Sequence, residues 1–351
     1  MTAAAPPPVV PKSERTYVRR LAPDRTQTWR RSFQLAFFAL NIWIGIEFYL
    51  FVRHFEGAGL GRVERPPGVE GWLPIASLMN LKFWITTGLI PNVHPAGMFL
   101  LIAFLAMSWV FRKSFCSWLC PVGTFSEYLW KLGRETFRRN WTLPRWLDVP
   151  LRSLKYILLG LFGWAVWSMS PRAIQEFLES PYGVVADVKM LDFFRKMGMT
   201  TAITLAVLVV LSIFVRNFWC RFLCPYGALM GLASLLSPLR IRRDPARCID
   251  CAKCAKACPS ALPVDRLVQI RSAECIGCLE CVAVCPAEGA LDMKTAGPRR
   301  FRVSAWVMAA GVAGIFFGVV LGAQLAGHWG TPVPDEVYRE LIPRAREFSH
   351  P

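Results

Sequence analysis

The chain has 351 residues, 54% of them hydrophobic, a mean hydropathy of +0.35 and a formal net charge of +17. Its apolar residues collect in runs of roughly 17 to 25, the length of a helix that crosses a bilayer, which argues against the core helices of a soluble protein. On a soluble chain so positive a charge would suggest nucleic acid; here no nucleic-acid partner is expected, because the charge is placed by membrane topology.

Residues 1–31 read as a disordered, basic cytoplasmic tail carrying Arg15, Arg19, Arg20, Arg25, Arg30 and Arg31. They hold no short apolar core before a small-residue cleavage site, and Arg19-Arg20 precedes no apolar stretch. The first apolar run, Ser32–Val52, is therefore expected to be an uncleaved anchor. A Gly/Pro-rich loop follows. Residues 73–90, interrupted by Asn80, Lys82 and Gly88, read as an interfacial or re-entrant segment. The next span is Val93–Phe111. Residues 112–150 are polar and basic, with an amphipathic helix through EYLWKLGRETF. The third span is Leu151–Met169, residues 170–198 are a loop, and the fourth span is Met199–Val215. Residues 32–240 form a membrane domain, 241–296 a soluble cysteine-dense domain, Val303–Leu325 the last span and 326–351 a periplasmic tail.

Five crossings put the two ends of the chain on opposite sides. With the N-terminus inside, the inner segments carry 29 Lys+Arg against 12 acidic residues, and the outer ones 11 against 11. The positive-inside rule favours that orientation. The expected fold is mainly α: a polytopic bundle with about five transmembrane helices and a re-entrant segment, plus a small cytoplasmic α+β 2×[4Fe–4S] ferredoxin-like domain.

All twelve cysteines fall in patterned clusters. CIDCAKCAKACP holds Cys248, Cys251, Cys254 and Cys258; CIGCLECVAVCP holds Cys275, Cys278, Cys281 and Cys285. In C-x2-C-x2-C-x3-C-P, three closely spaced thiolates wrap one cubane and the fourth crosses to the other cluster. The spacing thus assigns Cys248, Cys251, Cys254 and Cys285 to one [4Fe–4S] cluster, and Cys275, Cys278, Cys281 and Cys258 to the second. Zinc uses paired C-x2-C units and no triplet with C-P. Disulfides are disfavoured on the cytoplasmic side.

A second pattern is an internal repeat. FRKSFCSWLCPVG (Phe111–Gly123) aligns without gaps on VRNFWCRFLCPYG (Val215–Gly227), each after an apolar span. Cys116 and Cys120, like Cys220 and Cys224, are spaced to share one helical face. Three readings stand open: the four hold a further metal or cluster, they are redox-active or transiently metal-binding thiols, or they are structural helix ends.

The 14 Trp include several at span ends, the pattern of an interfacial belt, with a quinone pocket as the alternative. His54, His94 and His328 fall at the outer face, where interfacial packing is expected and haem ligation or a quinol site is the alternative. No dinucleotide fingerprint, Walker A or G-x-S-x-G occurs. An electron carrier is therefore expected in place of a stand-alone enzyme, since cofactors carry redox chemistry and the protein places them.

FCSWLCPVG and WCRFLCPYG followed by the eight-cysteine segment resemble the NapH/NosR/CcoG group of membrane polyferredoxins. RPPGVEGWLPIASLMNLKFW, LPRWLDVPLRS, SPYGVVADVKMLDFFRKMG, CPYGALMGLASLLSPLRIRR and PVPDEVYRELIP support the likeness, which runs from about Trp29 to the end of the chain. The resemblance implies a bacterial inner-membrane location, two [4Fe–4S] clusters on the eight cysteines, and electron transfer. The donor would be quinol or a cytoplasmic reductant, the acceptor a partner oxidoreductase or cytochrome. The alternatives are a metal-ion (copper) reductase and a redox- or iron-sensing assembly protein.

Overall fold

The computed structural model describes residues 16–349 except 22, 23, 60, 139, 142 and 297–299. The first helix, α1 (Thr26–Phe55), is followed by a 3-10 turn (Pro67–Trp72) and then α2 (Pro74–Thr87) and α3 (Pro95–Val110). A short α4 (Phe115–Trp118) leads into α5 (Pro121–Phe137) and α6 (Arg145–Ser168). Next come α7 (Pro171–Glu179), α8 (Pro181–Val184), α9 (Ala186–Arg195) and α10 (Met199–Phe214). A π-type turn (Trp219–Leu223) precedes α11 (Pro225–Leu235). The soluble segment holds β1 (Leu239–Arg243), α12 (Lys253–Ala257), α13 (Glu280–Ala283) and β2 (Leu291–Thr295). The chain continues with α14 (Ala305–Leu325) and α15 (Asp335–Leu341).

Proline sets many of these starts. The helices α2, α3, α5, α7, α8 and α11 all begin on one. At the first helical position its missing N–H costs nothing and its fixed φ suits the helix. Ser170 and Ser180 add side-chain caps to α7 and α8.

Three helices are long and apolar enough to cross a membrane: α1, α6 from Trp146 to Ser168, and α14. The fourth candidate is the pair α9 and α10, bent by 79°. The expected spans 93–111 and 199–215 form the 16-residue helices α3 and α10. Each is about 24 Å long, short of a hydrocarbon core of about 30 Å. Their ends are set by Pro95 and by the loops that carry Arg112 and Arg216.

The chain forms two compact units: Met1–Phe37, Leu105–Lys155 and Val210–Gly314 make the first, and Phe38–Phe104, Tyr156–Val209 and Ile315–Pro351 the second. In the first unit β1 pairs antiparallel with β2, Leu239 opposite Thr295 and Arg243 opposite Leu291. The strands close the cysteine-dense segment, burying Ile241, Leu291 and Met293.

The expected disordered tail 1–31 is not disordered throughout. Its first fifteen residues lie outside the described residues, but Thr16–Leu21 run extended along the cysteine-dense segment. The Thr16, Arg20 and Glu288 amides donate to the Ala246, Pro286 and Val18 carbonyls. Helix α1 already starts at Thr26. Backbone pairing and a helical first turn, neither visible as hydrophobic periodicity, order this stretch.

The second unit has a core of its own. Phe48, Phe51, Val52 and Phe55 of α1 pack with Met79, Phe83, Ile174, Leu178, Val188, Tyr338 and Ile342. The expected loop 170–198 is thus three packed helices, and the expected tail 326–351 carries α15, whose Tyr338 sets its ring edge-on against Phe51. Both segments are polar on average because they bury only one narrow face, so overall polarity hides them.

Candidate metal centres

The structure gathers the twelve cysteines into three quartets, all in the first unit. Cys248, Cys251, Cys254 and Cys285 line one cavity. Cys258, Cys275, Cys278 and Cys281 line another. These are the crossed sets that the spacing groups, with Cys285 and Cys258 each exchanged between the motifs. A lining of four cysteines fits a [4Fe–4S] cubane by donor chemistry.

The two loops repeat one backbone path. Asp250 and Ala252 have φ of 54° and 54°; Gly277 and Leu279, at the same places after Cys275, have φ of 62° and 57°. Three non-glycine residues are thus held left-handed, at about 1–2 kcal/mol each. The turn lets successive amides face inward, as in other anion-binding concavities. The Ala255 and Glu280 amides meet the Cys254 and Cys278 sulfurs, and the Leu262 amide lies 3.5 Å from Cys258 Sγ. Burial pushes the Cys254 thiol up to about 11, and raises Cys281 and Cys285 too. The first quartet lies nearer the surface, with Cys251 exposed, whereas Cys258, Cys278 and Cys281 are buried.

Around the second quartet stands a set of hydrogen bonds and ion pairs. Trp118 Nε1 and Gln27 Nε2 donate to the Gly277 and Cys278 carbonyls at 3.2 and 2.9 Å, and Ser117 Oγ donates to Ile276 O. Arg30, fully buried, forms a fork to both Glu127 oxygens at 2.6 Å and reaches Glu280 at 3.1 Å. Lys155 Nζ meets Glu274 at 2.6 Å. Sequence reasoning missed these supports, since the partners lie 97 and 119 residues apart. One signal was present: Lys155 is a charge within an apolar span, where a lysine needs a partner.

Cys116, Cys120, Cys220 and Cys224 line a third cavity. In each unit of the repeat the second cysteine caps the following helix. Cys120 Sγ accepts from Gly123 N at 3.4 Å, and Cys224 Sγ from Gly227 N at 3.2 Å. Burial pushes Cys116 up to about 11 and Cys120 up to about 12.

Comparison with known proteins points the same way. A 4Fe-4S binding domain family matches residues 93–144 and 197–243, and a 4Fe-4S dicluster domain family matches residues 240–293. The Escherichia coli (strain K12) protein YccM, named for electron transport, is 52% identical over 328 residues, 92% of either chain. The regulatory protein NosR of Pseudomonas aeruginosa is 33% identical over 46% of this chain and 22% of its own. The ferredoxin-type protein NapH of Haemophilus influenzae is 28% identical over 42% of this chain and 48% of its own. No solved structure gives a significant match.

Proposed function

The chain belongs to the family of YccM, and on that footing we propose that it is a membrane-bound iron–sulfur electron transfer protein holding two [4Fe–4S] clusters. Cys248, Cys251, Cys254 and Cys285 would hold the first, and Cys275, Cys278, Cys281 and Cys258 the second. When bound, such clusters supply one-electron transfer. The chain's own residues hold the thiolates, direct the Ala255, Glu280 and Leu262 amides at sulfur, and bury Cys258, Cys278 and Cys281 of the second quartet away from water. The observation that carries this reading is the pair of cavities, each lined by one crossed quartet.

The proposed place is the bacterial inner membrane, with the N-terminus and both clusters cytoplasmic and the C-terminus periplasmic. Two facts support it. The inner segments hold 29 of the 41 Lys+Arg. Each of the five expected spans also contributes residues to both compact units, and every expected inner segment belongs to the first unit, every outer one to the second. The proposed donor is quinol or a cytoplasmic reductant, and the acceptor a partner oxidoreductase or cytochrome.

An EPR-monitored redox titration of the purified protein tests the reading. Two interacting S = 1/2 signals that develop with a quinol or a low-potential reductant are expected, each lost on substitution of its own quartet. No cluster signal after anaerobic purification and reconstitution with iron and sulfide would overturn it.

A further inference from the structure

We infer that the two CxxxCP units build one further iron–sulfur site between them, with Cys116, Cys120, Cys220 and Cys224 as its thiolate ligands, adjoining the second ferredoxin quartet. The four cysteines come from two copies of one sequence repeat and face a single cavity, so neither copy makes a site alone. Both copies present the same donor geometry: a sulfur at a helix N-cap that accepts a glycine amide. Amides and the positive helix end both favour anionic sulfur.

A second observation is independent of the cysteines. Lys113 also lines this cavity, is 3% exposed, and has no carboxylate partner among the described residues. A Cβ built on Gly227 would lie 3.5 Å from Lys113 Nζ and 3.6 Å from Cys224 Sγ, so both side chains border the same glycine. A buried lysine charge is favoured by an anion beside it, and a cluster held by four thiolates would supply one.

The donor set is soft, which suits iron–sulfur clusters, zinc or Cu(I). One fact favours a cluster: this cavity is larger than either ferredoxin cavity. Pro259, Ser260 and Ile276 line both this cavity and that of the second quartet, so one thin wall separates the two. Only this adjacency rests on the two-cluster reading; occupancy of the site does not.

The test uses the full-length protein, purified without oxygen and reconstituted with ferrous iron and sulfide. About twelve iron and twelve sulfide per chain are expected, against about eight for two cubanes. Cys116→Ser and Cys220→Ser should each remove about four of both, and the double variant no more than either alone. A content of about eight that neither substitution changes overturns the site, and so does zinc or copper lost without sulfide. A double variant that loses about eight overturns the shared ligation, since each unit would then hold its own cluster. Cys248→Ser separates the readings: if it leaves iron unchanged while Cys116→Ser lowers it, the ferredoxin assignment fails and this one stands. Should the cysteine variants fail to fold, Lys113→Met keeps all four ligands. It should retain the iron and move one cluster midpoint to more negative potential; unchanged midpoints for all clusters would overturn the role given to the ammonium and the site argued from it.

Discussion

Arg65 shows what a single buried charge does in the second unit. Its guanidinium donates to Asp187 at 2.7 Å, to Glu70 at 2.7 Å and to His94 Nδ1 at 3.1 Å. Burial alone would raise the Glu70 carboxyl, but the charges and hydrogen bonds of Arg65 and His94 together more than offset it and hold the group at about 2, below the ordinary 4.5. A depressed carboxylate stabilises the fold above its unfolded pKa, and that contribution fades as pH falls from about 5 towards 2. Glu70→Gln should therefore flatten this acid limb in unfolding measurements on detergent-solubilised protein. Arg65→Met leaves two buried carboxylates unanswered and should cost about 3–5 kcal/mol by urea unfolding. None of this was legible in the sequence, because Arg65 and Asp187 lie 122 residues apart. The cluster-binding turns were half legible. Gly277 advertises its left-handed φ, while Asp250 adopts the same conformation at the matching position with no glycine to mark it. Asp250→Gly should be neutral or stabilising by up to about 1 kcal/mol. Gly277→Ala should lower iron content, since its Cβ would come within 3.0 Å of the Phe111 carbonyl.

At the scale of elements, the two CxxxCP units look interchangeable in sequence and are not so in space. A Cβ on Gly123 would fall 2.2 Å from the Cys116 carbonyl, an overlap that backbone must move to relieve. A Cβ on Gly227 would meet Lys113, Cys220 and Cys224 only at 3.5–3.6 Å. Gly123→Ala should therefore lower the protein's thermal stability and metal content sharply, and Gly227→Ala only slightly; equal effects would contradict the packing described here. The repeat, its cysteines and its prolines could be read directly because local chemistry fixes them. Helix lengths could not. Apolar runs 93–111 and 199–215 give way to 16-residue helices, since the flanking residues turn out of helical geometry, Arg112 at φ 64° and Asn217 at φ 50°. Likewise α7, α8 and α9 and the closing α15 bury one side each and read as polar loops.

Across the whole molecule, charge and hydropathy carried the bundle and its proposed orientation, while the packed unit made of loops had no such signature. The orientation has a direct check. Alkaline phosphatase fused after residue 349 should be active, and the same enzyme fused after residue 243 inactive; the reverse pattern would invert the topology. The extended stretch Thr16–Leu21 bears on how the protein is made. It leaves the ribosome before the residues it pairs with, Ala246 and Pro286–Glu288, which follow more than 220 positions later. Its pairing is therefore among the last contacts of the cysteine-dense segment to form, closed only once Cys285 itself has been made. A nascent chain stalled before Pro286 should leave Thr16–Leu21 open to protease.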